Sequence, residues 1–139
     1  MSYLSEKVAD SALNQMPVGY PDDNPKTVLG TSKPSMHAVP PVALLWIGQA
    51  MADGERKYGL TNWREKTVST SVYYDAMMRH LMAWWDGEDV AEDSGLPHLA
   101  HVAACVCILL DAQACGSLND NRPKVKGRTA EVIKALTKS

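Results

Sequence analysis

The stretch Leu96–Cys115, "LPHLAHVAACVCILLDAQAC", is apolar on nearly every side of a helix and is broken mainly by His98, His101 and Asp111. A helix of that kind is packed on most of its sides, as the central helix of a bundle or as an oligomer contact. Its longest uninterrupted apolar run, Val102–Leu110, is too short to cross a bilayer. Either the rest of the chain or a second copy therefore has to supply helices that cover it.

Two other segments have the required period. From Pro41 to Lys57 the residues Leu44, Ile47 and Met51 fall on one stripe, with proline where a first turn tolerates it and Gly59 closing the segment. From about Ser71 to Trp85, Tyr73, Met77, Leu81 and Trp84 make an apolar stripe, Asp75, Arg79 and Asp86 a polar one, and His80 lies beside the apolar side. The joining loop is "YGLTNWREKTVST". Past Gly116 a polar linker, "SLNDNRPKVKGR", leads to a short helix, "TAEVIKALTK", capped by its threonine. Six of the eight prolines precede Val42, so a short helix over Ser5–Gln15 must give way to an extended arm. No useful strand alternation and no internal repeat occur. The expectation is an all-α fold, a helical bundle of about three to four core helices with an extended N-terminal arm and a short C-terminal helix. Its parts are an arm over 1–40, a helical core over 41–115 and a linker with helix over 116–139.

Charge narrows the function classes. With 14 basic and 16 acidic residues the chain has no overall field that steers it to nucleic acid or anionic lipid. The basic tail lacks interleaved aromatics, so neither stable nucleic-acid binding nor membrane attachment is expected. The start carries acids early and has no basic n-region or apolar h-region. Cys105 and Cys107 face different sides of one helix and, with Cys115, read as small core residues rather than a disulfide framework. A reduced, cytoplasmic setting fits this usage.

The acids are distributed unevenly. Asp86, Glu88, Asp89, Glu92 and Asp93 fall within eight residues that contain no Lys or Arg. Such a run is ordinarily a solvated loop. Here it sits between two core helices and abuts His98 and His101, one turn apart, which can converge with Asp75 and His80 across the helix interface. Crowded carboxylates repel unless a cation joins them, and hard divalent ions take oxygen ligands, which points to a metal pocket. An EF-hand is excluded by the position of Gly87, a zincin by the spacing of "HLAH", and no Walker loop or dinucleotide fingerprint occurs. The second dense patch is "GERKYGLTNW". A helix C-cap accounts for Lys57 and Gly59, and the rest is of the kind that holds a phosphate and contacts a base.

Read in order, "SKPSMHAVPP", "GERKYGLTNW", "RHLMAWWDGED" and "DSGLPHLAH" resemble the phage dATP/dGTP diphosphohydrolases of the MazZ type, within the MazG and HisE-like superfamily of all-α nucleoside triphosphate pyrophosphohydrolases. The resemblance covers about Lys33 to Gln113. It implies a homodimer or homotetramer, Mg2+ or Mn2+ held by helix carboxylates, and hydrolysis of dATP or dGTP to the monophosphate and pyrophosphate. In phages whose DNA carries 2-aminoadenine, such enzymes remove dATP and supply dGMP. The superfamily's Glu-Glu-x-x-Glu and Glu-x-x-Asp signatures are absent; at comparable helical places stand Asp75, Arg79 and His80, then Asp93 and His98. On that basis the candidate metal ligands are Glu55, Asp75, Glu88, Asp89, Asp93 and His98, with Asp75, Asp93 and His98 expected to act in catalysis. Lys33, Lys57 and Arg79 are expected to neutralise phosphate, with Tyr58, Asn62, Trp63 and His80 completing the nucleotide contacts. A pyrophosphatase for dUTP or dCTP, and a non-catalytic helical interaction module, stay open as alternatives.

Overall fold

The computed structural model describes Gly19 and residues 23–138, so the helix expected over Ser5–Gln15 lies outside the described residues. The chain divides into two units at Pro41. The first contains a helix, α1 (Pro25–Gly30), where an extended arm is expected. The cause is local: the Asn24 side chain accepts from the Lys26 N–H at 2.9 Å, and Pro25 presets the first-turn backbone. Thr31 and Ser32 hydroxyls then donate back to the carbonyls of Val28 and Leu29 and end it. Lys33 lies in the turn that follows, with its N–H on the Gly30 carbonyl.

The second unit comprises α2 (Pro41–Tyr58), α3 (Asn62–Glu65), β1 (Val68–Ser69), α4 (Thr70–Trp85), α5 (His98–Cys115), β2 (Leu118–Asn119) and α6 (Thr129–Leu136). The all-α expectation holds, with two additions. The loop after α2 contains one helical turn: Gly59 and Thr61 both take left-handed backbone (φ +95° and +51°), reversing the chain into α3. The polar linker after α5 is also structured. β2 pairs in parallel with β1, Val68 opposite Leu118 and Ser69 opposite Asn119. Asn121 accepts from the Ser71 N–H through Oδ1 and donates to the Ser71 hydroxyl, covering the start of α4. Two-residue strands are too short to leave an alternating pattern in the sequence.

Helix ends follow backbone chemistry. Pro97 disfavours helical backbone at Leu96, so α5 begins at His98, two residues later than its hydrophobic pattern suggests. Gly116, at φ +74°, closes it. The last helix has Arg128 at its N-cap position, without a side-chain capping bond, and Thr129 is already helical.

α5 packs against α2 on one side and α4 on the other. The α2–α5 seam is made by Ala50, Ala100 and Ala104, with Met51 and Leu96 packed against it. Ala100 and Ala104 are one turn apart, hence on one face. Small side chains there let the two helices approach closely. Only His98, Ala100, Ala104 and Ala112 of the 18 residues of α5 are buried, so one chain does not cover the helix on most sides. α2 and α4 cover part of it, and the short α3 adds a contact at Asp111. Cys105 and Cys107 are half-buried and Cys115, in the last position of α5, is exposed rather than in the core. By length and composition alone α5 is apolar enough to cross a membrane, more so than its longest uninterrupted apolar run suggests. Its contacts with α2 and α4 are those of a bundle helix.

Candidate active site

The acidic run is folded into a compact double turn. α4 ends as Asp86, Gly87 and Glu88 direct their N–H groups back to Met82, Trp84 and Ala83. The chain then reverses between Ala91 and Leu96: the Ala91 N–H donates to the Leu96 carbonyl and the Gly95 N–H to Ala91, with Gly95 at φ +69°. The His98 N–H donates to the Asp89 carbonyl, and Ala91 is buried. These bonds hold the loop backbone on the N-terminal end of α5.

Above this turn opens a cleft of about 590 Å³, lined by Arg79 and His80 of α4, Glu88, Ala91, Glu92 and Asp93 of the loop, and His98 of α5. Two of its lining residues, His80 and His98, belong to a histidine cluster. His98 is buried and uses both ring nitrogens, Nδ1 to His80 Nδ1 at 2.8 Å and Nε2 to Glu88 Oε1 at 3.0 Å. His101 stacks on His80, with ring centroids 4.7 Å apart and planes inclined by 13°, and its Nε2 lies 2.7 Å from the Ser94 hydroxyl. Ser94 Oγ in turn accepts the Leu96 N–H at 3.2 Å. Burial, followed by the neighbouring imidazoles, pushes His80 below the ordinary histidine range; burial does the same to His101.

A pair on α2 completes the charge pattern. Asp53, with its side chain only 16% exposed, accepts from Lys57 Nζ at 2.7 Å and from Arg56 at 3.4 Å. The Lys57 hydrogen bond holds Asp53 below the usual carboxylate range, and the same bond raises Lys57, with Asp93 contributing. Asp53 and Asp93 also act on His101. The Asp53–Lys57 pair thus borders the histidine cluster from the α2 side.

The structure brings together Asp93, Glu88, His98, Arg79 and His80 of the expected site, with Lys57 at its edge. Asp75 and Asp89 are exposed and are not among the lining residues. Lys33 belongs to the first unit. Glu55 faces a separate cavity of about 170 Å³ formed with Gly48, Met51, Ala52, Gly59, Leu60, Thr61 and Trp63. Residues 48, 51, 52 and 55 lie on the opposite side of α2 from Asp53 and Lys57, which takes Glu55 away from the cleft. Tyr58 is exposed and Asn62 opens α3. Trp63 is no loop aromatic: it is buried in α3, and its indole N–H donates to Asp111 at 2.6 Å. Arg64 pairs with the same carboxylate at 2.7 and 2.9 Å, so the tryptophan acts as a peg between α3 and α5. Both ring nitrogens of His98 are engaged, Nδ1 by His80 and Nε2 by Glu88.

Ser94 and Asp53 escaped the sequence reading, whereas Glu92 and His101 were placed near the pocket without an individual role. Asp53 carried a usable signal, since Asp at i with Lys at i+4 is a helix-face pair.

Among the described residues no three His, Cys, Asp or Glu side chains converge on a point that would cage a metal ion. Magnesium does not need such a cage, being commonly held by one or two carboxylates together with substrate phosphates. Glu92 and Asp93 line the cleft, and no salt bridge engages either among the described residues, so the donor set fits that mode.

Residues 23–122, which include every cleft residue, match the family described as "dATP/dGTP diphosphohydrolase, N-terminal". The chain belongs to this dATP/dGTP diphosphohydrolase family. A curated relative, the dATP/dGTP diphosphohydrolase of Salmonella phage PMBT28, is 33% identical over 58 residues, covering 42% of this chain and 19% of that protein. The chain thus spans about a fifth of the length of that relative. No solved structure matches. The family match extends beyond Lys33–Gln113 at both ends, taking in α1 and the β2 tether.

Proposed function

We propose that the cleft binds dATP and dGTP as magnesium or manganese complexes and hydrolyses them to the monophosphate and pyrophosphate. The observation that carries this reading is the composition of the cleft in a chain of this family: three carboxylates, an arginine and a coupled histidine pair around one 590 Å³ opening. A triphosphate carries several negative charges, and carboxylates alone would repel it. Divalent ions supply the charge reversal and polarise phosphoryl oxygens when bound. Glu92 and Asp93 are the residues that would hold them. Arg79 and Lys57, cations at the wall and the edge, neutralise phosphate charge as the scissile bond breaks. Ala91 and His98 are the buried residues of the cleft lining.

The reading includes self-association. Leu45, Trp85 and Leu110 are 71%, 82% and 63% exposed, and α5 is covered on few sides, which is more apolar surface than a monomer of this size ordinarily leaves in water. A second copy is the occupant argued here, giving at least a dimer. In the 2-aminoadenine setting that the resemblance implies, the activity would deplete dATP and yield dGMP.

The test is pyrophosphate release by the full chain from each of the four common deoxynucleoside triphosphates, with magnesium, manganese or chelator. Turnover of dATP and dGTP that chelator abolishes is expected. Turnover of dUTP or dCTP alone would move the substrate class, and no turnover of any triphosphate would end the enzymatic reading.

A further inference from the structure

We propose that His80 is the general base for the attacking water, and that His98 and Glu88 are positioning residues that fix its tautomer. The inference rests on the hydrolytic reading above and assigns one of its steps.

The assignment follows from donor and acceptor chemistry. An ionised carboxylate accepts only, so the 3.0 Å contact between Glu88 Oε1 and His98 Nε2 requires the proton on His98 Nε2. A neutral His98 then has a bare Nδ1. The 2.8 Å contact between the two Nδ1 atoms needs one donor, which must be His80 Nδ1–H. His80 is left with its lone pair on Nε2. That nitrogen makes no hydrogen bond to a described residue. Among the described residues no buried side-chain nitrogen or oxygen lacks a partner, so Nε2 is reachable by water. His80 lines the cleft, and His101 stacked on its other side limits its rotation. The arrangement repeats the logic of a carboxylate that orients an imidazole, with one imidazole interposed.

In the reaction a water oxygen forms a bond to one of the two phosphorus atoms flanking the α–β bridge, and the bond from that phosphorus to the bridging oxygen breaks. The bond pair leaves on the departing phosphate group. The water proton passes to His80 Nε2 and then to solvent. While it resides there, the His80 Nδ1–H bond to His98, and through it the Glu88 charge, favour the imidazolium. His80 is held below the ordinary histidine range by burial, His101 and His98, with Arg79 adding to this and Asp93 opposing it.

The experiment measures kcat and KM for dGTP between pH 5 and 9 for the full chain and for His80→Gln, His98→Asn and His98→Ala. It is paired with nitrogen-15 spectra of the histidine rings, which report the tautomers. His80→Gln is expected to lower kcat by about 10²- to 10⁴-fold, with KM within about threefold, and to remove the acid limb of the kcat profile. His98→Asn, which keeps an acceptor near the Nδ1 position, should retain more activity than His98→Ala. Wild-type spectra should place the proton of neutral His80 on Nδ1. A folded His80→Gln protein with kcat within about threefold of wild type and an unchanged pH profile overturns the assignment, as does a neutral His80 protonated on Nε2. In either case a wild type that still hydrolyses dGTP leaves the hydrolytic reading standing, whereas an inactive wild type removes both.

Discussion

Trp63 offers the sharpest separation of structural from substrate-binding roles. Among the described residues it is the one large apolar side chain that is buried; the other buried apolar residues are alanines. Replacing a buried tryptophan by alanine typically costs about 3–5 kcal/mol. Unfolding entropy of roughly 2.1 cal/mol/K per residue gives about 0.3 kcal/mol/K for a chain of this length, so Trp63→Ala should lower Tm by about 10–17 °C. Trp63→Phe keeps most of the ring and loses the N–H to Asp111, so it should fall between the two. The assay is thermal unfolding followed by circular dichroism at one fixed chain concentration, because an oligomer's Tm depends on concentration. Alongside it, KM for dGTP should stay within about twofold in Trp63→Phe. A Trp63→Ala protein that melts within about 3 °C of wild type, yet binds dGTP at least tenfold more weakly, would refute the peg and restore the tryptophan as a base platform.

Asp93→Asn and Glu92→Gln should each lower dGTP hydrolysis at least tenfold at saturating magnesium, whereas Asp75→Asn, outside the cleft, should stay within about threefold; steady-state kinetics decides. Because His80 and His101 are held below the ordinary histidine pKa, the unfolded chain takes up protons there before the folded chain does. Their contribution to stability is intact above pH 6.5 and is lost as pH falls through the folded values, so Tm should drop between pH 7 and 5, and a flat Tm would contradict their burial. Light scattering should give at least a dimer for the full chain, and Leu45→Glu or Trp85→Glu should shift that equilibrium toward monomer if the exposed apolar faces are the contact.

The helices were legible because their signals are local. Apolar periods, Pro41, Gly59 and Gly116 act within a turn or two, and they delimit α2, α4 and α5 to within two residues. α1 was hidden by a general expectation about proline-rich stretches, although the Asn24–Pro25 pair carried the specific one. β1 and β2 depend on pairing across about 50 residues and leave no period. The cleft shows the same division. Its acidic wall could be read from Asp86–Asp93, since crowding of one sign is visible in a string. Which acids face inward could not, because that depends on the reversal between Ala91 and Leu96 and on the His98 N–H reaching Asp89. Trp63 was misread for a related reason: its partner, Asp111, is 48 residues away.

The alanine seam and the histidine cluster are two consequences of one helix. α5 approaches α2 closely through Ala100 and Ala104, and the residues flanking that seam, His98 and His101, are thereby brought to Glu88 and His80 on one side and Asp53 and Lys57 on the other. An added side chain at the seam would therefore act on chemistry as well as stability. Overpacking of this kind costs about 1–3 kcal/mol. For Ala104→Leu the same displacement should separate His101 from the α2 pair before it disturbs the His98–Glu88 contact, which is anchored within the loop and the first turn of α5. Hydrolysis should then fall less than the stability loss alone suggests, whereas Ala100→Leu, one turn nearer the histidines, should lose activity out of proportion to its Tm. Equal behaviour of the two variants would mean that the cluster is held by its own hydrogen bonds and not by the seam beneath it.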